Sequence, residues 1–110
     1  MSYCTPEEYE ARLDASLAYL EELLKRRAHA IRYPRITPLP PELRTKLSLE
    51  LVMARATEGL ERGMVAAAEA RARDGNHADY LARARVRMQI AETKTALLEL
   101  ALAPAARIAA

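Results

Sequence analysis

Tyr33-Pro34-Arg35-Ile36-Thr37-Pro38-Leu39-Pro40-Pro41 is the stretch that decides the fold. Proline lacks a backbone N–H and biases the residue before it away from helical geometry, so four prolines within eight positions end any helix arriving there. One other stretch has comparable stopping power, Asp74-Gly75-Asn76. Between these breakers the chain is rich in Ala, Leu, Glu and Arg, all good helix formers. The punctuation predicts an all-α fold: an antiparallel, up-down bundle of three long helices in a single domain, residues 1–110. A break of the second helix near Gly63 would make it four.

The first helix is expected from Pro6 to about Ile31. Thr5 can cap it, Pro6 suits the first helical position, and Glu8 can complete a capping box. Tyr9, Leu13, Leu17, Leu20, Leu24 and Ile31 form one stripe at helical spacing. The second helix is expected from Pro40 or Pro41 to about Arg73. One of its stripes is Leu49, Met53, Ala56, Leu60, Met64 and Ala67; beside it lies another, Leu43, Leu47, Leu51 and Ala54. Two apolar faces predict neighbours on more than one side. Gly59 and Gly63 each cost about 1 kcal/mol of helix propensity against Ala. They imply either a close helix crossing or a bend or break. The third helix is expected from His77 to about Ala103, capped by Asn76 and stopped by Pro104, with residues 105–110 a frayed tail. Its heptad seam is Leu81, Ala84, Met88, Ala91, Thr95, Leu98 and Leu102, and its second stripe is Val86, Ile90, Thr93, Leu97 and Leu100.

Composition excludes several function classes. Cys4 is the only cysteine, so neither an intrachain disulfide nor a cysteine zinc site can form. His29 and His77 stand far apart without Glu-x-x-His spacing, which leaves no metal site and no bundle-type di-iron centre. No Ser/His/Asp set or phosphate-cradling Gly loop is visible, and no cofactor is expected. No apolar run approaches the ~20 residues needed to cross a bilayer. The acidic start does not read as a signal peptide, which makes the cytoplasm the expected compartment.

Charge is the informative property. The net +2 conceals blocks of opposite sign. Residues 1–24 carry six acids and one base, a net of −5. Residues 25–46 carry seven bases against Glu42 alone, a net of +6. Residues 71–87 carry five arginines against two aspartates, a net of +3. Antiparallel packing gathers the first basic block at one end of the bundle and the second at the other. Arg26, Arg27, Arg32, Arg35, Arg44 and Lys46 are therefore the candidate partner-binding residues, and Arg71, Arg73, Arg83, Arg85 and Arg87 a secondary basic group. Guanidinium forks match phosphate oxygens. Apart from Tyr33 no aromatic is interleaved, so contact with a nucleic-acid backbone is expected rather than base stacking. Arg83 and Arg87 share a helix face, and Arg85 does not.

Several residues fall in a familiar order: Tyr33-Pro34, Leu43-Arg44, Thr57-Glu58-Gly59-Leu60-Glu61-Arg62, Asp79-Tyr80-Leu81 and Ala91-Glu92-Thr93-Lys94-Thr95-Ala96-Leu97-Leu98. Over roughly residues 19–103 the chain resembles the four-helix-bundle family of the ribosomal-RNA intervening-sequence proteins and the accessory variability determinant (Avd) of diversity-generating retroelements. The resemblance implies a homo-oligomer, a pentameric barrel, whose basic surface binds a reverse transcriptase and structured RNA without catalysis of its own. A second likeness runs through Leu13-Asp14, Leu20, Leu23-Leu24 and Arg26-Arg27, which look like the first helix of the all-helical chorismate mutases. There Arg12, Arg27, Lys46, Glu50 and Gln89 would hold a dianionic substrate. A third reading is a purely structural protein that pairs the second stripe of the third helix with a helix of another protein.

Overall fold

A computed structural model describes residues 5–73 and 78–106. Three helices account for most of them: α1 (Pro6–Arg32), α2 (Pro41–Arg73) and α3 (Ala78–Leu102). The expected capping box opens α1. Thr5 Oγ1 accepts the Glu8 N–H at 3.1 Å, and Glu8 Oε2 accepts the Thr5 N–H at 3.3 Å. Glu7 and Glu8 oppose the positive helix end, and His29 and Arg32 oppose the negative one. The expected Asn76 cap, His77 and the Asp74-Gly75-Asn76 turn lie outside the described residues, as does Cys4.

The third helix is the centre of the molecule. It packs against both α1 and α2, which make no contact with each other among the described residues. Both of its predicted stripes are used. Ala84, Met88, Ala91 and Thr95 are buried on the seam that meets α2, and Val86 and Thr93 on the stripe that meets α1. The two stripes lie on nearly opposite sides of the helix, so α3 stands between α1 and α2. Ionic and ring contacts fix the directions. Glu69 meets Arg85, Glu61 meets Arg87 and Arg55 meets Glu99, so α2 runs antiparallel to α3. Tyr9 meets Arg83 and Tyr19 meets Lys94, so α1 runs parallel to α3. The buried threonines cost little, because Thr93 Oγ1 donates to the Gln89 carbonyl at 2.7 Å and Thr95 Oγ1 to the Ala91 carbonyl at 3.0 Å.

The structure corrects the reading of two stripes. On α1 the buried positions are Leu20 and Leu23, while Leu17, Leu24 and Ile31 stay exposed along one edge. On α2 the stripe through Leu47, Leu51 and Ala54 turns toward α3 and continues to the buried Ala68. The stripe through Leu49, Met53 and Leu60 faces solvent, so α2 has a neighbour on one side only. Gly59 and Gly63 neither break α2 nor admit a crossing helix. The helix is continuous through both, and a Cβ built at either meets nothing within 4 Å. No fourth helix is present among the described residues.

The molecule is long and narrow, 59 × 26 × 23 Å. Its radius of gyration is 17.6 Å, against about 13 Å for a compact domain of this length. Burial is correspondingly shallow. Among the described residues no large side chain is fully buried.

Candidate functional site

Parallel packing of α1 on α3, and antiparallel packing of α2, bring three helix termini to one end: the C-terminus of α1, the N-terminus of α2 and the C-terminus of α3. The connection 33–40 must pass from one side of α3 to the other across that end. Arg35 makes the crossing into a clip. Its Nη2 donates to the Ala103 carbonyl at 2.6 Å and to the Ala101 carbonyl at 3.3 Å, and Nη1 donates to the Thr37 carbonyl. The Ala106 N–H returns a bond to the Arg35 carbonyl at 2.8 Å. The last turn of α3 has no basic residue of its own, and Arg35 supplies that cation from the α1–α2 connection. Ala105 and Ala106 are half-buried against it, so the tail expected from residue 105 is packed back as far as residue 106.

The other five candidate residues share this end but not one patch. Arg26 pairs with Glu22 at 3.7 Å and its neighbour Lys25 with Glu21 at 3.4 Å, one helical turn apart in each case. Such exposed pairs contribute only ~0.3–0.5 kcal/mol and release readily to a better partner. The Arg32 guanidinium lies 5.5 Å from the Tyr33 ring centre, and Tyr33 in turn lies 4.9 Å from His29. Arg27 borders a cleft between α1 and α3 with Ile31, Ala96, Glu99 and Leu100. Arg44 and Lys46, two residues apart, project to opposite sides of α2. Among the described residues Arg27, Arg44 and Lys46 have no acid within ion-pair distance. The end is thus a cationic rim around three termini.

The secondary group at the far end is largely engaged within the chain. Arg87 Nη2 donates to Glu61 Oε1 at 2.9 Å, and Arg85 approaches Glu69 at 3.9 Å. Arg83 lies over Tyr9 at 5.9 Å and Arg71 over Tyr80 at 5.8 Å. Arg73 borders a shallow cleft with Glu69, Leu81 and Arg85. These arginines stitch α3 to both neighbours. The expected split holds, with Arg85 on one edge of α3 and Arg83 and Arg87 on the other.

A mostly apolar cleft of about 430 Å³ lies between α2 and α3, lined by Glu50, Met53, Thr57, Ala91, Lys94 and Leu98. The chorismate-mutase-like set is not gathered in one place. Arg27 borders the α1–α3 cleft, Glu50 the α2–α3 cleft on the other side of α3, and Arg12, Lys46 and Gln89 are exposed. Among the described residues no group of three or more His, Cys, Asp or Glu is placed to hold a metal ion. Nor is any helix there long and apolar enough to cross a membrane. No family model matches the chain, and no match is found among curated proteins or solved structures.

One surface was not singled out as a site from sequence: the outward face of α2. Leu49, Val52, Met53 and Leu60 are 63, 63, 70 and 72% exposed. The signal that marks it is the position of charge, since no charged residue falls on that face between positions 47 and 70.

Proposed function

We propose that this chain is a non-catalytic accessory module that self-assembles through helix faces and binds a partner through the rim at its Pro-rich end. In its most specific form the partner is structured RNA together with a reverse transcriptase, in the manner of Avd. The observation that carries the reading is the rim itself: Arg27, Arg44 and Lys46, without acidic partners among the described residues, stand around three converging helix termini. Cations spread around a rim follow a phosphate backbone more naturally than a single small anion. The exposed pairs of Lys25 and Arg26 can be exchanged for phosphate at little cost. The shallow core and the solvent-facing apolar stripes support the self-assembly part.

The test is a titration with structured RNA at several salt concentrations. The slope of log affinity against log salt should be steep, and the triple charge reversal Arg27→Glu, Arg44→Glu, Lys46→Glu should lower it by about one for each phosphate no longer neutralised. Binding indifferent to salt, or no binding, overturns the phosphate-contact reading. Arg35 is left out of the set because it holds α3.

A structural helix-pairing role is the second reading, though not through the second stripe of α3, which is buried against α1. It is favoured by the exposed face of α2 and does not need the rim.

A further inference from the structure

The outward face of α2 is unusual for a surface in water. All six charged residues between positions 47 and 70 lie off this face. Arg55 reaches Glu99, Glu61 holds Arg87, Glu69 meets Arg85 and Arg62 folds back on Glu58. Glu50 lines the α2–α3 cleft, which Met53, 70% exposed, borders from the outward side. The opposite arc carries no charge over 22 residues, about 33 Å of helix. A lone solvated helix face would carry charge among its apolar residues.

The face is graded in size. Its N-terminal half carries bulk, in Leu49, Val52 and Met53. Its C-terminal half is small, in Gly63, Ala66, Ala67 and Ala70, with Leu60 and Ala56 between; Met64 is half-buried in a cleft against α3. Positions 49, 53, 56, 60, 63, 67 and 70 step by four and three, the spacing of a helix-pairing seam. We infer that this face binds the same face of a second copy, antiparallel, about a two-fold axis near residue 58. In that register Leu49 meets Ala67, Met53 meets Gly63 and Ala56 meets Leu60, so each layer pairs a large side chain with a small one. A parallel pair would set bulk on bulk at one end and leave a gap at the other. The grading fits a second copy because one surface supplies both halves of the match, as a two-fold interface requires.

Gly63 then has a use. Among the described residues nothing in its own chain meets a Cβ built there, and at the seam it lets two helix backbones approach closely. Charge returns only at the ends, with Glu42 and Lys46 at one and Arg71 at the other. The register sets Arg71 of one copy beside the Glu42–Lys46 turn of the other, and the association should depend weakly on salt. Two such faces bury on the order of 1,000 Å² in total, near the lower bound for a specific interface, so a micromolar dimer is expected.

This inference rests on the self-assembly part of the proposed function and is independent of the cationic rim. Its test uses the full chain with Cys4→Ser as background, sedimentation, and a short bismaleimide. Copies bearing Leu49→Cys should cross-link to copies bearing Ala67→Cys, and neither to itself. Leu60→Glu should weaken the dimer about a hundredfold, because it buries an unpaired charge at the centre of the seam. Leu60 is exposed in the single chain, so unchanged circular dichroism is expected. Self-cross-linking at 49 and at 67 means a parallel pair and overturns the register. A dimer that survives Leu60→Glu but is abolished by Leu17→Glu is seated on α1, which overturns the inference and leaves self-assembly standing. A chain that stays monomeric at about 100 μM overturns both.

Discussion

Replacing Arg35 with Met keeps the aliphatic stem and deletes the fork that holds the end of α3. Three carbonyls lose a donor: Ala103 at 2.6 Å, Ala101 at 3.3 Å, and Thr37. Hydrogen bonds to charged groups contribute about 1.5–3 kcal/mol each when buried. Arg35 is only half-buried and the Ala101 contact is long, so about 1 kcal/mol is assigned to each of the two short bonds. A cation at a helix C-terminus adds ~0.5 kcal/mol. The expected loss is about 2.5 kcal/mol, or a fall in Tm of about 10 °C for a domain of this size. Urea titration at low, fixed protein concentration measures it. Arg35→Lys keeps the charge without the fork and should recover less than half. The exchange of amides in the last turn of α3 should accelerate in Arg35→Met before the rest of the helix responds. A Met variant within about 0.5 kcal/mol of the parent, or a Lys variant equal to it, would refute the clip.

Two further outcomes follow from the same geometry. Arg87→Met strips the partner from Glu61, which is 8% exposed and has Oε2 already without a hydrogen bond. The loss should be about 2 kcal/mol, reduced from the fully buried case because Arg87 is 44% exposed. Pairing Arg87→Met with Glu61→Leu should recover most of it, and a double-mutant cycle showing simple additivity would contradict the coupling. Gly59→Ala should stabilise the isolated chain by about 0.5–1 kcal/mol, since the added Cβ meets nothing and helix entropy improves. Denaturation at high dilution reads that gain, and a destabilised variant would mean that the position is crowded in the single chain.

Helix number and ends were legible because their causes are local. Thr5, Pro6 and Glu8 fix a cap within four residues, and the prolines around Tyr33 stop a helix whatever it packs against. The two stripes of α3 were legible for the same reason, as was the separation of Arg85 from Arg83 and Arg87. What the pattern could not say was which stripe of α2 meets protein. Periodicity reports an apolar face but not its occupant, and Leu49, Met53 and Leu60 match a core stripe in every respect except location. The better guide was the opposite face, where Glu61 and Glu69 sit at the α3 seam with arginine partners from α3. Reading Arg35 as a surface cation failed because its partners lie 66 and 68 residues away in sequence, across a turn whose path no local rule predicts.

The absence of contact between α1 and α2 has a consequence for how the chain comes apart. Consecutive α2 and α3 form a helical hairpin whose contacts are near in sequence. By contrast, among the described helices α1 touches α3 alone, from the far side, and is tethered by an eight-residue strap carrying Pro34, Pro38 and Pro40. Removing α1 leaves the hairpin whole; removing α3 leaves two helices with nothing between them. The molecule is therefore a hairpin with a docked leaf, and Arg35, at the root of the strap, is the latch that holds the leaf shut.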